Sequence, residues 1–374
     1  MSCRERPVAL ACVMLAAAAC SLLALLLARG ASAQPDRPGA LILDARSGRV
    51  LARVPIDEAI AASVPDGRGG WDVGGFFTRV AGQPRRALAH LLPSGAIDRA
   101  WSVSVASSRG NRVSVSELAR SGSRLYVGGA FGLVGGLRRP GLAAVDLRTR
   151  TGLRSFRPGT YIDVQRLAVT GERLLVARNY SYPVSGVAAL EPGTGAPDRS
   201  WNPGFRLIGD AGWFSAVVVR GRRVFVAGAF RLSGLRRNGL VALDARTGAP
   251  DRRWAPEPPD CSVCRGFANL SGLAVADDRV YVSGFFSRFD GVPRNGVVAL
   301  DPRTGAVDRS WRPARGSPQT LTLALAGERL YLGTANGLLA LDGKTGAALQ
   351  APDVPFKTVF LLVPSGRRLL VAGR

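Results

Sequence analysis

A two-part repeat that alternates without interruption constrains this chain more than any other feature. The first part is an apolar strand, a tight turn bearing Gly or Asp, and a second strand. It reads "LARSGSRLYVGGAF" (118–131), "AVTGERLLVARN" (168–179), "VVRGRRVFVAGAF" (218–230), "AVADDRVYVSGFF" (274–286), "ALAGERLYLGTA" (324–335) and "LVPSGRRLLVAGR" (362–374). A degenerate copy is "ASVPDGRGGWDVGGFF" (62–77). The second part is "GLVALDARTG" (239–248), with relatives at 40–48, 87–95, 141–152, 186–195, 296–305 and 337–346. Apolar runs flanking a tight turn are the hairpin signature. Each full repeat is therefore four short strands. Such units at this spacing predict an all-β fold, a seven-bladed β-propeller of four-stranded blades.

The ends of the chain sharpen the expectation. The sequence past residue 39 begins with a second half and finishes with a first half. Either alone leaves an unpaired strand edge. Pairing of the N- and C-terminal strands is expected to close the ring over residues 40–374. Residues 34–39 read as a linker. Residues 1–33 read as a signal peptide: Arg4 and Arg6 form a basic start, residues 8–28 are largely apolar, and small Ala31 and Ala33 precede a cut. The alternative is an uncleaved membrane anchor. Export implies an extracellular, periplasmic or envelope-associated protein, expected as a monomer.

"VGGAFGLVGGLRRPGLAAVD", "VAGAFRLSGLRRNGLVALD" and "VSGFFSRFDGVPRNGVVALD" resemble the delta-60 repeat β-propeller family. The hallmark is Gly-x-Phe, a further Gly, a basic residue, Leu-Ala-x-Leu, and a Trp-or-Phe-x-Pro close. Stretches 70–103, 125–158, 224–256 and 280–313 match it well. The resemblance implies a propeller and no common enzymatic activity. "ALDxxTG" followed by Trp is similar to the tryptophan-docking motif of quinoprotein-like (pyrroloquinoline-quinone) propellers. There the aromatic comes four residues after Gly; here Trp101, Trp201, Trp254 and Trp311 come six after, and Phe156 alone keeps the shorter spacing. No quinone site is carried over, and no cofactor is expected.

The repeated polar residues have structural explanations. Asp44, Asp244, Asp301 and Asp342 precede turns, where a carboxylate accepts hydrogen bonds from turn amides and the Thr or Ser hydroxyl. The four Trp residues suit wedges between neighbouring blades, and losing one should cost about 3–5 kcal/mol. Asp98, Asp198, Asp251 and Asp308 cap a turn or pair with a neighbouring Arg. Cys261 and Cys264 are expected to form a local disulfide, which stabilises one loop by about 2 kcal/mol. Two Cys and the single His90 fall short of a structural zinc site, so no metal is expected. With one His there is little support for a nucleophile triad, and no catalytic residue is assigned.

Net charge is +23, almost all of it Arg, since Lys344 and Lys357 are the only lysines. One reading is an anionic partner; the other is an Arg-rich solvated surface. The loop between second and third strands shares a face with the link to the next blade. That face should carry Arg85, Arg86, Arg138, Arg139, Arg236, Arg237 and Arg294, together with Tyr180 and Tyr182. These are the candidate partner-binding residues; the competing reading pairs each Arg with an acid as a structural clip. The expectation is a non-catalytic binding module for a protein or an anionic cell-envelope polymer. Nucleic acid is not the expected partner, and a membrane would be met only through an uncleaved N-terminal segment. A quinoprotein-like oxidoreductase and a polysaccharide lyase or hydrolase stand as alternatives.

Overall fold

The structure, a computed structural model, describes residues 39–374 except 109, 111, 160–163, 179–185, 204–212, 232–237, 258, 261–268 and 314–319. The N-terminal segment, Tyr180, Tyr182, Arg236, Arg237, Cys261 and Cys264 lie outside the described residues. Every regular element among the described residues is a strand.

Each repeat folds as an antiparallel meander. The sheet beginning at Ser114–Ser121 continues outward through Arg124–Ala130, Leu142–Asp146 and Thr151–Gly152. The sheets that begin at Ile60–Pro65, Val164–Val169, Trp213–Arg220 and Asn269–Val275 have the same order with three strands. Their fourth strand is reduced to one bridge: Leu91 with Ile97, Leu190 with Pro197, Leu243 with Pro250 and Leu300 with Val307. The expectation of four full strands per repeat is thus met only in part. Pro at 197 and 250 explains two of these short edges, because it offers no N–H to a ladder. The Thr320–Ala326 sheet has four strands.

One sheet joins the two ends of the described chain. Val50–Val54 pairs with Ala40–Asp44, which pairs with Arg368–Gly373, which pairs with Val359–Ser365. No sheet closes on itself among the described residues. The sheets instead pack side by side. Ile60–Pro65 lies against Ser114–Ser121, and contact passes on in chain order to Val359–Ser365, which lies against Ile60–Pro65.

Apolar side chains fill the spaces between neighbouring sheets. Trp101, Val115, Leu125 and Val127 belong to one cluster, Trp201, Phe214, Val224 and Val241 to another, and Trp254, Leu270, Val280 and Val298 to a third. Trp254 and Trp311 are fully buried. The Trp201 indole sits under the next repeat's turn glycine, Gly248, whose φ of +77° no β-branched residue tolerates and whose Cβ would come within 2.9 Å of the ring. Each wedge therefore uses the backbone of the neighbouring sheet.

The Gly-x-Phe motif has a local cause. Every innermost strand carries a β-bulge near its start, at Ala61, Ser116, Gln165, Ser215, Ser271, Leu321 and Phe360. A bulge pushes backbone toward the partner strand. On that partner stand Gly75, Gly129, Gly228, Gly284 and Gly373, where a Cβ would lie 2.0–2.4 Å from a carbonyl oxygen. The motif's aromatic, Phe77, Phe131, Phe230 or Phe286, is buried.

Candidate functional site

The loops after the second strands build one face. Short hairpins there pair Arg79–Val80 with Gln83–Pro84, Leu133–Val134 with Leu137–Arg138 and Arg288–Phe289 with Val292–Pro293. The links between repeats add to them: Ile56 bridges Val80, Val105–Ala106 pairs with Leu133–Val134, and Pro259–Asp260 pairs with Arg288–Phe289. Loop and link therefore share a face, here called the loop face. The opposite turn face carries the tight Asp–Thr–Gly turns.

Three of the sequence-predicted arginines point inward. Arg85 donates to the Asp98 and Arg99 carbonyls at 3.4 and 3.3 Å. Arg139 donates from Nε to the Phe156 carbonyl at 2.6 Å and from Nη2 to that of Arg154 at 3.1 Å. Arg294, 8% exposed, donates to the Asp308 and Trp311 carbonyls at 3.2 and 3.1 Å. Each guanidinium clips its loop to the end of its own repeat. The clip closes on backbone oxygens rather than on acids, which is where the structure departs from the expected Arg–acid pairing. Arg86 and Arg138 are exposed, with no ion pair among the described residues.

The carboxylates are engaged elsewhere. Asp44 Oδ1 accepts from the Ser47 amide at 2.7 Å and its hydroxyl at 2.8 Å, and those bonds hold its carboxyl below the usual range. Asp244, Asp301 and Asp342 accept in the same way from Thr247, Thr304 and Thr345. Asp198 pairs with Arg173 at 2.7 Å, Asp251 with Arg223 at 2.8 Å and Asp308 with Arg279 at 2.9 Å. His90 bridges Asp66 at 3.2 Å and Asp98 at 3.3 Å. On the loop face Asp57 is taken by the Thr78 and Arg79 amides. No group of His, Cys, Asp or Glu among the described residues is arranged to hold a metal ion.

Two clefts differ in charge. One of about 630 Å³ opens on the turn face. Its charged groups cancel in pairs, Arg220 with Asp277 and Arg279 with Asp278 at 2.6 Å, Lys344 with Glu328 at 2.5 Å. The other, of about 500 Å³, lies on the loop face against the Arg288–Pro293 hairpin. It is lined by Arg294, Arg309 and Arg312 and, among the described residues, by no carboxylate. Arg309 and Arg312 are exposed and were not singled out by the repeat pattern. The doubled "RSWRP" at 309–313 and "RSFRP" at 154–158 is the signal that marks them.

A second polar cluster lies between innermost strands. Glu117, 15% exposed on its side chain, pairs with Arg166 at 2.8 Å. Burial pushes the Glu117 carboxyl up to about 7 despite the guanidinium. Asp72, fully buried, pairs with Arg120 at 2.6 Å, and burial raises its pKa as well.

Comparison with known proteins bears on the fold. A model of the outer membrane protein assembly factor BamB family matches residues 183–358, and a β-propeller domain of unknown function matches 65–100. No curated protein matches the sequence. Among solved structures, the extracellular domain of the putative one-component system BT4673 from B. thetaiotaomicron shares 13% identity at a TM-score of 0.53. That match covers 81% of this chain but only 35% of that extracellular domain, so the chain spans about a third of it. The β-propeller domain of Cps50 (Swd1) from Myceliophteria thermophila shares 12% identity at a TM-score of 0.53, covering 84% and 97% of the two chains. YCF48 bound to D1 peptide shares 12% identity at a TM-score of 0.52, covering 91% and 98%. In strand order, side-by-side sheet packing and these likenesses, the chain is an all-β protein of the β-propeller kind.

Proposed function

We propose that the protein is an exported, non-catalytic, seven-bladed propeller whose loop face binds a protein or an anionic polymer of the cell envelope. In this reading the ring is complete: the sheet formed by the two chain ends is the seventh blade, and the delta-60 pattern is the signature of each blade. One observation carries the functional part, the contrast in charge between the two clefts, paired on the turn face and cationic on the loop face. The turn-face acids are held by turn amides or by arginines, and the larger cleft there is neutralised by its own ion pairs. The loop face keeps Arg86, Arg138, Arg309 and Arg312 exposed without an ion pair among the described residues. A rigid scaffold presenting guanidiniums suits carboxylate or phosphate groups, which they bind bidentately. YCF48, a solved structure of this fold, is bound to a peptide, which makes a peptide segment a reasonable partner class.

The test is retention on immobilised polyanion as salt is raised. Binding should weaken steeply with ionic strength. The double variant Arg86→Glu/Arg138→Glu should elute at markedly lower salt than the parent. Equal elution would discard the loop face as the site. Dye reduction on adding pyrroloquinoline quinone and calcium, or turnover of a glycan, would replace the non-catalytic reading with one of its rivals.

A further inference from the structure

The loop-face cleft at the Asn269–Val275 sheet is lined by a set of arginines that one other repeat carries in sequence, as Arg139, Arg154 and Arg157. In this repeat the closing stretch is Arg309-Ser310-Trp311-Arg312-Pro313. The residue after the aromatic is Ser102, Asn202 or Ala255 in three other repeats, and a second Arg occurs there only at Arg157. Arg312 therefore adds a charge that the fold does not require. The Arg294 clip beneath it is buried, and both its terminal nitrogens donate to carbonyls: Pro293 at 2.9 Å, Asp308 and Trp311.

The electrostatics leave this group of cations uncompensated. The Asp308 carboxylate, whose charge acts on Arg294, accepts from Arg279, from the Ser310 amide and hydroxyl, and from the Trp311 amide. Burial pushes the Arg294 guanidinium down, the Asp308 charge opposes that, and Arg312 and Arg309 push it down further. Three like charges are thus held around one concavity of about 500 Å³ with Ser287 and Asn295 on its wall. Like charges crowded at a surface concavity favour a counter-ion there. A single carboxylate brings one negative charge. A phosphomonoester brings about 1.5 to 2 at neutral pH and three acceptor oxygens, which matches two exposed guanidiniums with one more behind them.

We propose that the cleft lined by Arg294, Arg309 and Arg312 binds a phosphomonoester dianion. The inference rests on the loop face being the working face and names the chemical group met at one point on it. Donors to the phosphate are the Arg309 and Arg312 guanidiniums, and Arg294 contributes charge while keeping its carbonyl bonds.

The test is calorimetric titration of the folded protein with inorganic phosphate at low salt. Saturable binding of one phosphate per chain is expected, weakened at least about tenfold in Arg309→Gln/Arg312→Gln, the loss of two charge-assisted bonds. The comparison variant Arg46→Gln/Arg303→Gln removes the same charge from exposed positions of the turn face and should bind phosphate as the parent does. Glycerol 3-phosphate and vesicles containing phosphatidic acid then distinguish a soluble phosphomonoester from a lipid headgroup. No binding at millimolar phosphate, equal loss in both double variants, or equal displacement by acetate would overturn the proposal. If phosphate fails while salt-dependent retention on polyanion still requires Arg86 and Arg138, the cleft assignment alone falls. If both fail, the loop-face reading falls with it.

Discussion

At the scale of single residues, position along the blade decides what a charge does. Asp198, Asp251 and Asp308 each hold an arginine from the start of a second strand and also cap their own turn. Glu117 breaks this pattern. It lies on an innermost strand, and burial raises its carboxyl from an ordinary 4.5 to about 7. Between those pH values the folded protein holds a proton that the unfolded chain has released, so stability falls as pH rises through that window. Glu117→Gln should flatten this part of the melting-temperature profile, even though Arg166 loses its ion-pair partner. Profiles that stay parallel from pH 4.5 to 7 would show that Glu117 does not titrate there. Much at this scale was legible in the sequence. Repetition marked Trp254, Trp311 and Asp301 as structural, and they are a wedge, a wedge and a turn cap. The partners of Arg85, Arg139 and Arg294 were not legible, because a backbone carbonyl carries no residue-type signal. Arg309 and Arg312 escaped because they stand beside a repeated Trp that explained the stretch without them.

At the scale of elements, the bulge and its opposing glycine form the unit that sets blade geometry. The bulged innermost strand brings a carbonyl close to the second strand, and Gly stands opposite it in five repeats, with Arg178 and Thr334 in the other two. At Gly284 a Cβ would lie 2.4 Å from the Asn269 carbonyl oxygen. Gly284→Ala should therefore cost about 1–3 kcal/mol or more by overpacking, seen as a lower urea midpoint with an unchanged slope. A wild-type midpoint would mean that the bulge relaxes freely. The sequence displayed the Gly-x-Phe motif plainly but not its cause, since the bulge residue is Ser at 116, 215 and 271 but Ala61, Gln165, Leu321 and Phe360 elsewhere. The fourth strands were overread. The sequence reads four strands in every repeat, yet Pro197 and Pro250 reduce two of them to a bridge.

At the scale of the whole molecule, the two chain ends meet in one sheet, with Leu41 opposite Val371 and Leu43 opposite Leu369. If the ring is complete as proposed, losing the last strand exposes two sheet edges and uncovers Leu41 and Leu43 by removing Val371 and Leu369 at once. A chain ending at residue 366 should lose its cooperative unfolding transition, and retention of a parental melt would contradict closure. The same architecture separates two surfaces. The turn face neutralises the charges of its cleft in pairs, while Arg46, Arg148, Arg246 and Arg303 stay exposed elsewhere on it. The loop face, built from hairpins held down by Arg85, Arg139 and the buried Arg294, has a cleft lined by arginines. The central claim is that this second surface meets the partner. Hydrogen–deuterium exchange of the intact protein with and without bound polyanion tests it most directly. The account predicts added protection at 79–86, 131–139 and 286–296, with the turns at 45–49, 245–249 and 343–347 unchanged. Protection confined to those turns would contradict it.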